Sequence, residues 1–131
     1  MPQPPPYKVP SPHERGSQLP PLKLQLVEEF VGADLGETIT VEQMAEVARY
    51  SASRFWHLFR NAVGSSPCQY VIQRRLKRAM ELLLNTDNSL VEIAMECGFS
   101  DQRHLIRLFK RHTGMTPKRM RLTRGMNIPV S

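Results

Sequence analysis

Residues Ile93–Pro117 read IAMECGFSDQRHLIRLFKRHTGMTP, and the fold follows from how this stretch is punctuated. Ile93, Ala94 and Cys97 share an apolar face at helical spacing, and Gly98 interrupts it. Ser100 is placed to cap a new helix, whose own buried stripe is Leu105, Leu108 and Phe109. Gln102, Arg103, Arg107, Lys110 and Arg111 are left on the opposite side of that second helix. Two short helices joined by a glycine-containing turn, the second presenting cations and an amide outward, form the pattern of a helix-turn-helix that reads DNA.

The same pattern occurs earlier in the chain. Thr40-Val41-Glu42-Gln43 fits a capping box, after which Val41, Met44, Ala45 and Ala48 face inward. The helix must stop near Arg49-Tyr50, and Ser51 starts another whose inward residues are Phe55, Leu58 and Phe59. Ala45, Tyr50 and Ser51 correspond to Ala94, Phe99 and Ser100 at one constant spacing; Phe59, Gly64 and Pro67 correspond to Phe109, Gly114 and Pro117 at a spacing one residue longer. This reading puts the extra residue in the second recognition-helix region. A small residue, an aromatic before a serine cap, a Leu-Phe-basic core and a G-x-[ST]-P ending recur together, which marks a structural duplication.

Between the copies, Ser66-Pro67-Cys68-Gln69 supplies an N-cap, proline at the first helical position and glutamine at the third. The helix begun there extends to about Asn85, with Val71, Ile72, Leu76, Ala79, Met80 and Leu83 at helical spacing and a basic cluster of Arg74, Arg75, Lys77 and Arg78 that is either near phosphates or a solvated face. At 1.5 Å per residue such a rod is on the order of 30 Å long, close to one turn of B-DNA. Ser89-Leu90-Val91-Glu92 reads as another capping box, and Thr116-Pro117 opens a final helix that frays beyond Gly125.

Upstream, residues 1–21 hold eight of the eleven prolines and no hydrophobic periodicity, so they read as a disordered lead or linker. Leu22, Leu26, Val27, Phe30 and Val31 then trace a packing helix ended by Gly32 and Gly36. Charge divides the chain the same way. Residues 1–50 have four Lys/Arg against seven Asp/Glu, and residues 51–131 have fourteen against five, so the net charge of +6 comes wholly from the later part. That asymmetry points to a polyanion partner. The chain is long enough for a modest core and too short for a large enzyme fold. It shows no membrane span and no secretory leader, which suits the cytoplasm and the nucleoid. Cys68 and Cys97 lack a ligand set and read as reduced core residues. His57, His104 and His112 lack carboxylate or thiolate company, so no metal site or cofactor is expected.

These residues resemble the C-terminal DNA-binding domain of AraC/XylS-type transcription regulators. The strongest match is SLVEIAMECGFSDQRHLIRLFKRHTGMTP; TVEQMAEVARYSASRFWHLFRNAVGSSPCQYV and IQRRLKRAMELLLNT match too, covering about Leu22 to Arg121. The resemblance implies an all-α fold of about seven helices over residues 22–124. A first unit at 40–64, a linker helix at 67–85 and a second unit at 89–113 precede a tail at 125–131. It further implies that two recognition helices enter successive major grooves of double-stranded promoter DNA, with RNA polymerase as a further partner. Carried over by position, base or near-base contacts fall on Ala52, Ser53, Trp56 and His57 in the first unit and on Gln102, Arg103, Ile106 and Arg107 in the second, with Arg60, Lys110 and Arg111 beside them. His57 stands where many members have arginine, and Trp56 where a small polar residue is usual. The first helix is therefore expected to read few bases, or to read a thymine methyl by apolar contact, whereas arginine to guanine and glutamine to adenine give the second helix bidentate discrimination. Family members often place an effector domain ahead of this one; the proline-rich lead cannot form a small-molecule pocket.

Two other classes remain open from sequence. A protein-interaction module that docks RNA polymerase or a partner regulator would fit the loss of the usual arginine at His57. An enzyme fits least, because no arrangement of nucleophile, base and orienting group is visible.

Overall fold

The structure, a computed structural model, describes residues 17–124. The disorder expected for residues 1–16 and the fraying expected beyond Gly125 lie outside the described residues. Seven helices occur among those described: α1 (Pro21–Ala33), α2 (Val41–Ala48), α3 (Ala52–Val63), α4 (Pro67–Asn85), α5 (Leu90–Cys97), α6 (Gln102–Thr113) and α7 (Pro117–Leu122). There is no strand among them, so the all-α expectation holds. The chain divides into two compact units: residues 39–72 with the N-terminal part through Asp34, and residues 73 onward with the short segment Leu35–Thr38.

In the first unit the Thr40 capping box is complete, with the hydroxyl accepting from the Gln43 N–H (3.1 Å) and the Gln43 side chain accepting from the Thr40 N–H (2.9 Å). The core contains Val27 and Val31 of α1, Met44, Ala45 and Ala48 of α2, and Phe55, Leu58 and Phe59 of α3. Phe59 is gripped by Phe55 and, edge to face, by Tyr70, with ring centroids at 5.5 and 5.3 Å. The α1 stripe is narrower than expected: Leu22 is 76% and Leu26 50% exposed, so only Val27 and Val31 are fully inward. Gly32 does not end that helix, which continues to Ala33. Residues expected to belong to the lead are also ordered here, since Leu19 is buried and α1 begins at Pro21.

In the second unit the Ser89 hydroxyl accepts from the Glu92 N–H (3.1 Å) at the start of α5. Its core contains Leu76, Ala79, Leu82 and Leu83 of α4, Ile93, Ala94 and Cys97 of α5, Phe99, Leu105, Leu108 and Phe109, and Met120 of α7. Gly98 closes α5 at φ 87°. A β-carbon there would lie 2.2 Å from the Leu35 carbonyl oxygen and 2.6 Å from Arg75 Nε, so both backbone conformation and space demand glycine. The cysteines differ from expectation in one respect: Cys97 is buried, but Cys68, near the start of α4, is exposed. Both are free thiols.

Candidate nucleic-acid interface

The two recognition helices begin differently. Ser51 caps α3 by accepting from the Arg54 N–H (3.2 Å). The cap of α6 is Asp101, one residue beyond the serine singled out from sequence, and its carboxylate accepts from the His104 N–H (2.7 Å). Ser100 instead donates its N–H to His104 Nδ1 (3.2 Å), while the imidazole packs edge-on against Phe99. The shorter carboxylate bond at the position where the helix dipole favours an anion explains why Asp101 takes the cap. With the caps aligned, α3 and α6 are both twelve residues long and match position by position. The extra residue therefore lies in the turn before α6 and not within the helix, and a turn absorbs an insertion without rotating either apolar stripe.

This register pairs Ala52 with Gln102, Ser53 with Arg103, Trp56 with Ile106, His57 with Arg107, Arg60 with Lys110 and Asn61 with Arg111. On α6 the buried Leu105, Leu108 and Phe109 fix the helix so that Gln102, Arg103, Arg107, Lys110 and Arg111 are all exposed. None of these cations is in an ion pair among the described residues. Ile106 is half-buried beside Val91 and Met95 of α5, in an apolar groove that Gln102 and Arg103 border. On α3 Ser53, Arg54 and His57 are exposed, with Ala52, Trp56 and Arg60 half-buried. Trp56 meets the His57 ring edge-on at 5.3 Å, and the Arg60 guanidinium lies 5.6 Å from the indole centroid. Trp56, His57 and Arg60 thus make one aromatic and cationic surface, whereas α6 presents separate hydrogen-bonding side chains.

The linker's basic cluster is largely committed within the second unit. Arg75 donates to the carbonyls of Leu35 (3.0 Å) and Glu37 (2.8 Å), closing the segment Leu35–Thr38 onto α4. Arg78 pairs with Glu81 (3.3 Å) and Glu96 (3.6 Å). Burial lowers the pKa of Arg75, opposed by the neighbouring Cys97. The Cys97 thiol is pushed up to about 11 by burial and by Glu96, with Arg78 and Arg75 opposing. Cations in and just after α7 are engaged as well: Arg121 donates to the carbonyls of Leu83 (3.2 Å) and Thr86 (3.1 Å), and Arg124 to Thr86 and Asp87. These arginines complete the C-terminal end of α4, whose last carbonyls have no helical partner. Sequence reading missed them because their partners lie more than thirty residues away and leave no local pattern.

Among the described residues, no group of three or more His, Cys, Asp and Glu could hold a metal ion. No helix among them is long and apolar enough to cross a membrane.

Two repeated units, each with a capped helix pair and a second helix whose stripe of hydrophobic residues leaves the opposite face to solvent, define a tandem helix-turn-helix domain. The family model for the helix-turn-helix domain matches residues 44–123. A crystal structure of an AraC-type DNA-binding domain protein from Chromobacterium violaceum is similar at TM-score 0.77 and 29% identity, covering 82% of this chain and 96% of that one. The DNA-binding domain of the global transcriptional factor AdpA, solved in complex with a target DNA, is similar at TM-score 0.73 and 34% identity, covering 77% of this chain and 91% of that one. The probable transcriptional regulator LumQ of Photobacterium leiognathi is 34% identical over 98 residues, which is 75% of this chain and 40% of LumQ. The chain belongs to the AraC-type helix-turn-helix family. It spans less than half the length of curated relatives such as LumQ.

Proposed function

We propose that the chain is a sequence-specific, double-stranded DNA-binding regulator of transcription that reads promoter DNA with α3 and α6. The observation behind this reading is the outward row of α6, where an amide and four cations that form no ion pair among the described residues stand on a helix locked by its cap and by three buried residues. Arg103 and Arg107 have the donors to bond bidentately to guanine, and Gln102 can do the same for adenine. Lys110 and Arg111 have the charge and position for backbone phosphates. On α3, Trp56 offers apolar contact to a thymine methyl, with Ala52, Ser53 and His57 near base edges and Arg60 toward the backbone. The AdpA domain in complex with its target DNA supports the same use of this fold.

A regulator of this kind acts on the nucleoid in the cytoplasm, has no enzymatic step, and recruits or contacts RNA polymerase. Relatives named as transcriptional activators, such as VirF of Yersinia enterocolitica, support that last partner. Gel shift with a duplex enriched from a random-sequence library, titrated over a range of salt, tests the reading. Sequence-selective binding whose affinity falls linearly with salt on logarithmic axes is expected, because neutralised phosphates release counterions. Equal binding to selected and random duplexes, or none at low salt, would leave the protein-interaction alternative.

A further inference from the structure

The chain ahead of α1 touches the first recognition helix itself. The Leu19 N–H donates to the Leu58 carbonyl (3.1 Å) in the middle of α3. The Asn61 side-chain amide donates to the Ser17 carbonyl (2.9 Å), and in return the Gln18 side-chain amide donates to the Asn61 carbonyl (3.2 Å). Leu19 is only 3% exposed. Three consecutive residues therefore hold one turn of α3, and the reciprocal pair at Asn61 satisfies a carbonyl of the last turn that has no partner within the helix.

This turn adjoins the Trp56–His57–Arg60 surface. Asn61 follows Arg60 in sequence and stands one helical turn from His57, on the same side of the helix. The matching position in α6 is Arg111, which is exposed and makes no such contact among the described residues, and Thr113 in the last turn of that helix donates back to the Phe109 carbonyl (2.7 Å). Among the described residues the hold on α3 therefore has no counterpart on α6.

We propose that Ser17–Leu19 is a strap that sets the position of α3 for DNA reading, with Gln18 and Asn61 as its clasp and Asn61 as a positioning residue. The inference rests on the DNA-reading role proposed above. The strap fixes the rotation and translation of α3 that place Trp56, His57 and Arg60 on the duplex, so the contribution of the first unit to binding depends on residues that touch no DNA. Whatever pulls on the chain before Pro21 pulls on α3.

The test uses the full chain, the variants Gln18→Ala and Asn61→Ala, and three duplexes: the enriched one, one with the sequence block read by α3 scrambled, and one with the other block scrambled. The α3 block is the one whose enrichment survives Arg103→Ala. Each variant should bind the enriched duplex about fivefold more weakly than wild type, the loss equivalent to one neutral hydrogen bond. The same loss is expected when the other block is scrambled, and none when the α3 block is scrambled. Amides of Arg60 to Gly64 should exchange with solvent faster in both variants while those of α6 do not change. Wild-type affinity in both variants, or an equal loss on all three duplexes, overturns the strap. If the wild-type chain binds no duplex at low salt, the DNA-reading proposal fails instead; unchanged exchange in α3 then overturns the strap on its own. Gln18→Ala leaves the α3 sequence intact, so it decides the matter should Asn61→Ala not fold.

Discussion

The stretches Met44–Pro67 and Ile93–Pro117 bury the same positions, with Ala45, Leu58 and Phe59 repeated as Ala94, Leu108 and Phe109. Both have a cap, an aromatic and aliphatic stripe on the reading helix, and a glycine ending it in the left-handed region at Gly64 or Gly114. The differences lie in the turn and on the outer face. The first turn passes through Arg49 at φ 63°, the second through Gly98 at φ 87° under the Leu35 carbonyl and Arg75. The outer face is a joined Trp56–His57–Arg60 surface in one case and separate arginines and a glutamine in the other. Core and punctuation build the same scaffold twice, and the chemistry is decided by side chains the scaffold does not constrain.

Breaking the turn of the second unit should have the largest effect. Gly98→Ala forces a β-carbon into the Leu35 carbonyl at a left-handed backbone position and should cost roughly 2–5 kcal/mol in urea unfolding. Gly114→Ala, with the same handedness but nothing within 4 Å of the new β-carbon, isolates the conformational part and should cost about 1–2 kcal/mol. Equal costs would mean the close approach at Gly98 is unimportant.

The outer faces come next. Arg103→Ala and Arg107→Ala should each lose about 1–3 kcal/mol of discrimination at one base pair, read as affinities for single-site duplex variants. His57→Ala is expected to lose less than either. A larger loss at His57 than at Arg107 would reverse the ranking of the two units.

Arg49→Gly sharpens the turn comparison in the opposite direction. Glycine relieves the left-handed strain but adds freedom to the unfolded chain, so a net stabilisation of up to about 1 kcal/mol is expected in urea unfolding. The two thiols come last, since the Cys97 ionisation has no effect on stability at neutral pH. At neutral pH a thiol reagent should modify exposed Cys68 at once and buried Cys97 only on unfolding. Because burial raises the Cys97 pKa from 9.0 to about 11, the folded state holds that proton more tightly than the unfolded one. The stability it contributes is complete below pH 9 and lost as pH rises through about 11. Cys97→Ala should flatten that alkaline decline.

The helices were legible because their signals are local: caps three residues from their targets, stripes at 3.6-residue spacing, glycine after the last turn. Which residues of α3 and α6 face outward was legible for the same reason, since a buried stripe fixes the opposite face. Three things were not. Ser100 and Asp101 are both competent caps in adjacent positions, and only the geometry of the turn selects the carboxylate. Leu22 and Leu26 fit a stripe by spacing, but among the described residues α1 turns only Val27 and Val31 fully into the core. Arg75, Arg121 and the Asn61 clasp act through carbonyls distant in sequence, and a backbone acceptor has no side-chain signature.

The most direct test of a tandem reader led by its second unit is the motif enriched from random duplex DNA by the wild-type chain and by the Arg103→Ala, Arg107→Ala double variant. The wild-type motif should contain two blocks, one strongly and one weakly specified, and the double variant should lose the strong block while keeping the weak one. A strong block that survives the double variant, or a wild-type motif with no strong block, would contradict it.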